Sequence, residues 1–295
     1  MLQQAAVCMG RISWSQFQTW STCPYKWKLN YIDKNRIWTD SIHTIYGKAF
    51  HDTLEHYLFV MYNESIKKAD EIDLPNMLVD KVKEHYIKGV KNAKGKHFST
   101  QSELTEFCVQ GAKGLTWFKK HRDQYFQKKN WELLGIEVEL DTQYKTVNVL
   151  GYIDVLLRNT KTGKIKVIDL KTSTRGWKRE KTDPMKKGQL LFYKKFIAEK
   201  YNIPEDMVTV EFIIVKRMVW ENSDFPTKYI QRFEPPSGKI SLNRTFKNID
   251  IFISECFNQD GSYRIDTEYR KLGVNNKCKW CEFKSKPKLC DRKLV

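Results

Sequence analysis

GYIDVLLRNTKTGKIKVIDLKTS, residues 151–173, reads as a strand, a turn and a returning strand that carry two aspartates and a lysine to one place. Residues 152–158 are rich in Ile, Val and Leu, and residues 164–170 repeat that character, so both are predicted strands. Between them, Asn159-Thr160-Lys161-Thr162-Gly163 supplies the residue types that a tight turn needs. Paired residue numbers in an antiparallel hairpin share a constant sum. A turn centred between Lys161 and Thr162 sets that sum at 323, which pairs Asp154 with Asp169 (154 + 169). Opposed residues hold their Cβ atoms about 4.5–5.5 Å apart on one face, and Lys171, two residues beyond Asp169, shares that face. Carboxylates so placed repel unless a cation lies between them, and hard oxygen ligands favour Mg²⁺ or Mn²⁺. The plainer alternative is an open sheet face, with both aspartates solvated and Lys171 a surface ion-pair partner. Val167, Ile168 and Leu170 weigh against it, because a strand this continuously apolar is buried on both faces. A carboxylate there needs a partner or a metal.

Two further segments extend the set. Gln189 and Tyr193 lie four residues apart on a predicted helix over residues 189–201, which puts them on one face. Upstream, Gly47-Lys48-Ala49-Phe50-His51 stands near the start of a helical pattern over residues 46–63, running through Leu54, Leu58 and Met61. The ordered set His51, Asp154, Asp169, Lys171, Gln189 and Tyr193 resembles the PD-(D/E)XK nuclease superfamily, and within it the RecB-like branch. The resemblance implies a Mg²⁺- or Mn²⁺-dependent deoxyribonuclease. In it, Asp154, Asp169, His51 and the carbonyl of Leu170 would hold the metal. Lys171 would orient the attacking water and stabilise developing charge, while Gln189 and Tyr193 would keep the nucleic-acid strand in register. Glu137 reads as a solvent-facing strand carboxylate, with a water-bridged contact to the metal as its other reading. The expected activity is exonucleolytic or flap cleavage of single-stranded DNA, or of DNA with a free end, in recombination, repair or replication, beside a helicase or recombination partner.

Cys278-x2-Cys281-x8-Cys290 near the end of the chain includes a pair at metal-ligand spacing. A four-ligand site needs one more thiolate, and Cys8, Cys23, Cys108 and Cys256 are the remaining cysteines. Cys8, Cys108 and Cys256 sit in apolar or helical contexts and read as inert. Seven cysteines without a secretory leader argue against disulfides. Cys23, followed by Pro24, is similar in placement to the N-terminal cysteine of the RecB-like nucleases that carry iron–sulfur clusters, such as the AddB and CRISPR-associated adaptation nucleases. That resemblance implies a [4Fe-4S] cluster on Cys23, Cys278, Cys281 and Cys290, although tetrahedral zinc suits four thiolates equally well. Either would clasp segments 255 residues apart, from Cys23 to Cys278.

Charge narrows the partner. The 295 residues carry a net +17, and residues 161–200 alone hold 13 Lys or Arg against 4 Asp or Glu, beside the predicted site. The last 25 residues, 271–295, hold 8 against 2. A field of this size attracts polyanions. Nine Trp, 14 Tyr and 16 Phe offer stacking surfaces for unpaired bases, though most must fill the core. A metal-stapled RNA-binding protein would explain the charge but not the aspartates. A non-catalytic DNA-binding scaffold with a zinc-stapled nuclease fold would have no physical reason to keep them converging beside Lys171. No phosphate loop of the type G-x-x-x-x-G-K-[ST] is present, so any unwinding would come from a partner. No apolar run spans a membrane and residues 1–10 lack the features of a leader, so a cytoplasmic protein is expected, and the abundance of Lys, Asn and Ile suits a phage gene read in its host's cytoplasm.

The order of predicted elements is α/β: a mixed central sheet flanked by helices, in a single nuclease domain over residues 1–295. Ser13-Trp14-Ser15-Gln16 reads as a capping box opening one helix with Phe17, Trp20 and Trp27 on its apolar side. Residues 64–130 read as a helical insertion, and residues 133–144, 208–216 and 229–233 as strands. Residues 240–257 form a helix with Leu242, Phe246, Ile249, Ile253 and Cys256 as its buried stripe.

Overall fold

The computed structural model describes residues 10–37, 40–220, 228–272 and 278–291; Cys8 lies outside them. The chain divides into two compact units, each built from discontinuous segments. The first comprises Met1–Trp38, Glu139–Gly151 and Lys239–Val295; the second comprises Thr39–Val138 and Tyr152–Gly238.

In the first unit, β1 (Arg11–Ile12) pairs in parallel with the opening residues of β3 (Val147–Asn159), Arg11 opposite Asn148. One helix was expected over residues 14–27, and two form instead: α1 (Trp14–Thr22) and α2 (Pro24–Tyr31). Cys23 between them is extended, at φ −166°, and Pro24 lacks the N–H that would continue the first helix. Ser13 caps α1 through its hydroxyl, as expected. The Gln16 side chain, however, donates to the carbonyl of Arg11 at 2.7 Å rather than closing a capping box. Trp27, fully buried, stands amid Phe252, Phe257, Tyr263 and Tyr269, with ring centroids 5.5–6.1 Å away. Phe252 belongs to α8 (Lys239–Cys256), whose predicted stripe is buried along its whole length.

The second unit holds the hairpin. Strand β3 pairs antiparallel with β4 (Ile165–Ser173) in the register Val155↔Ile168 and Leu156↔Val167, the predicted sum of 323. Asn159 accepts the amides of Lys161 and Thr162, and Gly163 takes the positive φ, 72°, that the turn requires. Strand β4 pairs in parallel with β5 (Val208–Lys216), which pairs antiparallel with β6 (Ile230–Phe233), making the sheet mixed. Strand β2 (Trp131–Tyr144) runs beside β3. Within it Glu137 adopts a left-handed backbone at φ 49°, two residues after Gly135.

Alternate residues of β3, β4 and β5 (Val155, Ile168, Leu170, Ile213 and Val215) share one core with α3 (Ile42–Asn63), α5 (Leu74–Asn92) and α6 (Gln101–His121). The short α4 (Ile66–Glu71) contributes Ala69 to it. Residues 64–130 are thus mainly helical, and their apolar faces help cover the sheet. The intervening residues of β4 and β5, Val167, Phe212 and Ile214, are buried as well, and α7 (Pro184–Lys200) packs on these two strands. Helix α7 begins five residues before the predicted start, because Asp183 caps it and Pro184 occupies its first position. No helix among the described residues is long and apolar enough to cross a membrane.

Packing of α6 onto its neighbours hinges on Gly111, where a Cβ would meet Leu78 Cδ2 at 2.5 Å and Tyr46 Cε2 at 2.9 Å. Both neighbours are buried and have no room to yield. Gly111→Ala in an exposed helix would gain about 1 kcal/mol of helix propensity. Here it should instead destabilise by a net 1–2 kcal/mol or so, as overpacking outweighs the gain. Urea unfolding checks this; a more stable variant would contradict the packing.

Candidate active site

Burial makes the site chemically unusual. Asp169 is 1% exposed and Asp154 9% exposed, each in the middle of its strand and flanked by buried apolar residues, Ile153 and Val155 in β3 and Ile168 and Leu170 in β4. The Asp154 carboxylate accepts the backbone N–H of Leu170 at 2.6 Å, across the hairpin. Lys171 forms an ion pair with Asp169. From the middle of α3, His51 brings Nδ1 to 3.7 Å from Asp154 Oδ2. On α7, Gln189 donates to the Tyr193 hydroxyl at 3.2 Å, and the charge of Asp169 reaches that buried hydroxyl.

One carboxylate that the sequence reading missed, Glu55, joins the cluster, and Glu137 stands near enough for its charge to be felt there. Glu55, four residues beyond His51 and on the same face of α3, is 5% exposed. Its Oε1 lies 3.9 Å from His51 Nδ1 and accepts no hydrogen bond. Donor atoms of His51, Glu55 and Asp154 all fall within 4.8 Å of one another. The spacing His51-x3-Glu55 was the available signal. Glu137 is exposed, as expected for a strand carboxylate. Yet its charge bears on His51, Glu55 and Asp154.

Electrostatics follow from this crowding. Burial pushes Asp154 and Asp169 up to about 6, against the opposing pull of Lys171. Burial, followed by the charges of Asp154, Glu137 and Asp52, takes Glu55 up to about 9. His51 is lowered by burial and by Lys171, so its imidazole favours the neutral form that ligates metals. Burial opposes the charge on Lys171, but Asp169 and Asp154 hold its pKa above the ordinary lysine value. A buried acceptor without a donor on Glu55, beside a neutral imidazole and two further carboxylates, is a donor set that fits a hard divalent cation.

A profile of the PD-(D/E)XK nuclease superfamily matches residues 11–286. The chain belongs to that superfamily. Its members are nucleases that act on nucleic acid, generally with divalent ions such as Mg²⁺ or Mn²⁺. No curated protein matches the chain significantly. The solved structure described as the crystal structure of SSO0001 aligns with a TM-score of 0.29 and 15% identity, over 88% of this chain and 92% of that one. Nothing about function rests on that likeness.

The four cysteines lie in the first unit. The chain holds α2 against the tail: Tyr25 donates to the carbonyl of Leu289 at 3.0 Å, Lys26 pairs with Glu282 at 2.7 Å, and Cys23 Sγ lies 3.8 Å from the carbonyl of Arg270. Cys278 and Cys281 occupy one turn, Cys281 N–H donating to Cys278 C=O at 3.0 Å. Cys256 is fully buried in the α8 stripe, and Cys108 is half-buried on α6.

Proton linkage at the aspartates gives a testable sign. Their folded pKa values lie above the ordinary carboxylate value, so the folded protein holds protons that the unfolded chain releases. Their contribution to stability is present at low pH and is lost as pH rises through about 6. In EDTA, the melting temperature of Asp169→Asn relative to wild type should therefore climb between pH 4.5 and 7.5, and Mg²⁺ should shrink the difference at pH 7.5. A pH-independent difference in thermal melts would contradict the burial of this charge.

Proposed function

We propose that the protein is a Mg²⁺- or Mn²⁺-dependent deoxyribonuclease in which Asp154, Asp169 and His51, joined by Glu55, hold the metal. The observation that carries this reading is the convergence of His51, Glu55 and Asp154 donors within 4.8 Å, beside the buried Asp169–Lys171 pair. With all three carboxylates ionised and Lys171 charged, the cluster is two charges short of neutrality, which suits a divalent ion. A bound ion there would polarise the scissile phosphate and lower the pKa of a water. The Lys171 ammonium, kept charged by its aspartates, stands ready to meet negative charge developing on the phosphate. The Gln189–Tyr193 pair presents polar groups to the strand being cut. The carbonyl of Leu170 is kept as a further ligand. The basic residues following β4, among them Arg175, Lys178, Arg179 and Lys187, supply the field that holds a phosphate backbone. Exonucleolytic or flap cleavage of single-stranded DNA, alongside a helicase or recombination partner, is the activity we assign.

Cys23, Cys278, Cys281 and Cys290 are the ligands we assign to a [4Fe-4S] cluster, with zinc as the competing occupant. The junction of α2 with the tail through Tyr25, Lys26 and Cys23 supports a shared site. Thiolates there would be held by the cluster's positive iron and would fasten the two chain ends of this unit.

Asp169→Ala should abolish cleavage of end-labelled single strands while binding persists, and Lys171→Ala should slow it by about 10²–10³-fold. An Asp169→Ala protein that cuts at the wild-type rate would refute the metal assignment. Cys23→Ser and Cys281→Ser should lose brown colour and thermal stability alike, whereas Cys108→Ser should be nearly silent. Stoichiometric zinc without iron or sulfide in anaerobically purified protein would refute the cluster, and an unaltered Cys23→Ser protein would refute the clasp.

A further inference from the structure

A cavity of about 330 Å³ opens where β5 ends, lined by Gln110 and Lys113 of α6, by Arg217, Met218 and Trp220, and by Tyr229. Backbone bonds carry β5 past its last strand residue: Arg217 and Met218 donate to the carbonyls of Ser173 and Thr174, both at 2.8 Å. The cavity therefore adjoins the basic segment that begins at Arg175. Lys171 pairs with Ile214, so Arg217 stands three residues farther along the strand, about 10 Å at 3.3 Å per residue. Arg217 alternates with Lys216 and lies on the α6 side of the sheet. Asp169 and Lys171 pair with Phe212 and Ile214 and so face the other side of the sheet, which puts the cavity at the same carboxyl edge as the aspartates but on the opposite face.

The walls are suited to a flat, electron-rich ring. Trp220 is 69% exposed and Met218 39% exposed, an unusual apolar display in a concave, cationic setting. The Arg217 guanidinium is laid 3.7 Å from the Phe107 ring centroid and bonded to Gln110, with Glu106 3.4 Å away, so its plane is fixed in advance. Tyr229 packs on Trp117, with centroids 5.9 Å apart, which holds the far wall. Lys113 is exposed on the rim. Neutral apolar partners would gain nothing from Lys113 and Arg175, whereas a base on a phosphate backbone uses both the aromatic surface and the charge.

We infer that Trp220 and this cavity form a stacking site for an unpaired nucleobase of single-stranded nucleic acid. The site rests on the nuclease reading and deepens it, because it makes unpaired bases, and not phosphate charge alone, the feature that is recognised. Fluorescence anisotropy in EDTA, with the full chain and two labelled 20-mers, tests it. One probe is oligo(dT), the other an abasic strand of equal length and charge. Wild type should bind oligo(dT) about tenfold more tightly, the order that one stacked base contributes. Trp220→Ala should remove most of that preference and leave the abasic affinity and its salt slope unchanged, while Trp220→Phe should keep it. Wild-type preference in Trp220→Ala, or no preference in wild type, would overturn the stacking site alone. Binding of neither strand at low salt would overturn the nucleic-acid reading with it.

Discussion

The short hydrogen bond from the Leu170 amide to the Asp154 carboxylate, 2.6 Å across the β3–β4 hairpin, is the contact on which the site depends. It ties one aspartate to the strand that carries the other, and it draws on a backbone donor that would otherwise need a partner within the core. Because the side-chain period of a strand is two, a slip of one residue would turn Asp169 and Lys171 to the opposite face and Leu170 into their place. Packing excludes that slip, since it would drive Asp169 and Lys171 into the core that Ile168 and Leu170 share with α3, α5 and α6. Register and site geometry are therefore one constraint, enforced by packing.

That constraint is costly in isolation. Asp154, Asp169 and Glu55 crowd into a region with one lysine to offset them, and burial raises the pKa of each. Such a cluster opposes its own ionisation until a multivalent cation enters. The fold tolerates it because the surrounding core is large, with α3, α5 and α6 on one face of the sheet and α7 on its strands. Helix α3 serves both purposes at once. Leu54, Leu58 and Met61 anchor it in the core, while His51 and Glu55 leave the same helix toward the carboxylates.

Much of this was legible in the sequence wherever one local rule decided the outcome. The hairpin register followed from a turn with Asn159 and Gly163 at fixed positions, and strand β5 and the α8 stripe followed from apolar patterning alone. Reading failed where two rules competed. Trp27 satisfied the helical spacing from Phe17, but Pro24 broke the helix that the spacing suggested. Glu55 was hidden by its chemistry: a glutamate on a helix is ordinarily solvated, and only the fold shows that this one faces Asp154 inside the protein. The helices of residues 64–130 were legible as helices, while their burial against α3 needed tertiary structure.

The central claim is that the buried carboxylates exist to hold a divalent ion, and anomalous scattering from crystals grown with Mn²⁺ tests it most directly. The account predicts a manganese peak within bonding distance of Asp154 and Asp169, about 2.0–2.2 Å from hard oxygen ligands of this kind. It predicts His51 or Glu55 in the same coordination shell, and loss of the peak in Asp154→Asn crystals. A map without a peak at these residues, or with manganese bound only elsewhere on the molecule, would contradict it.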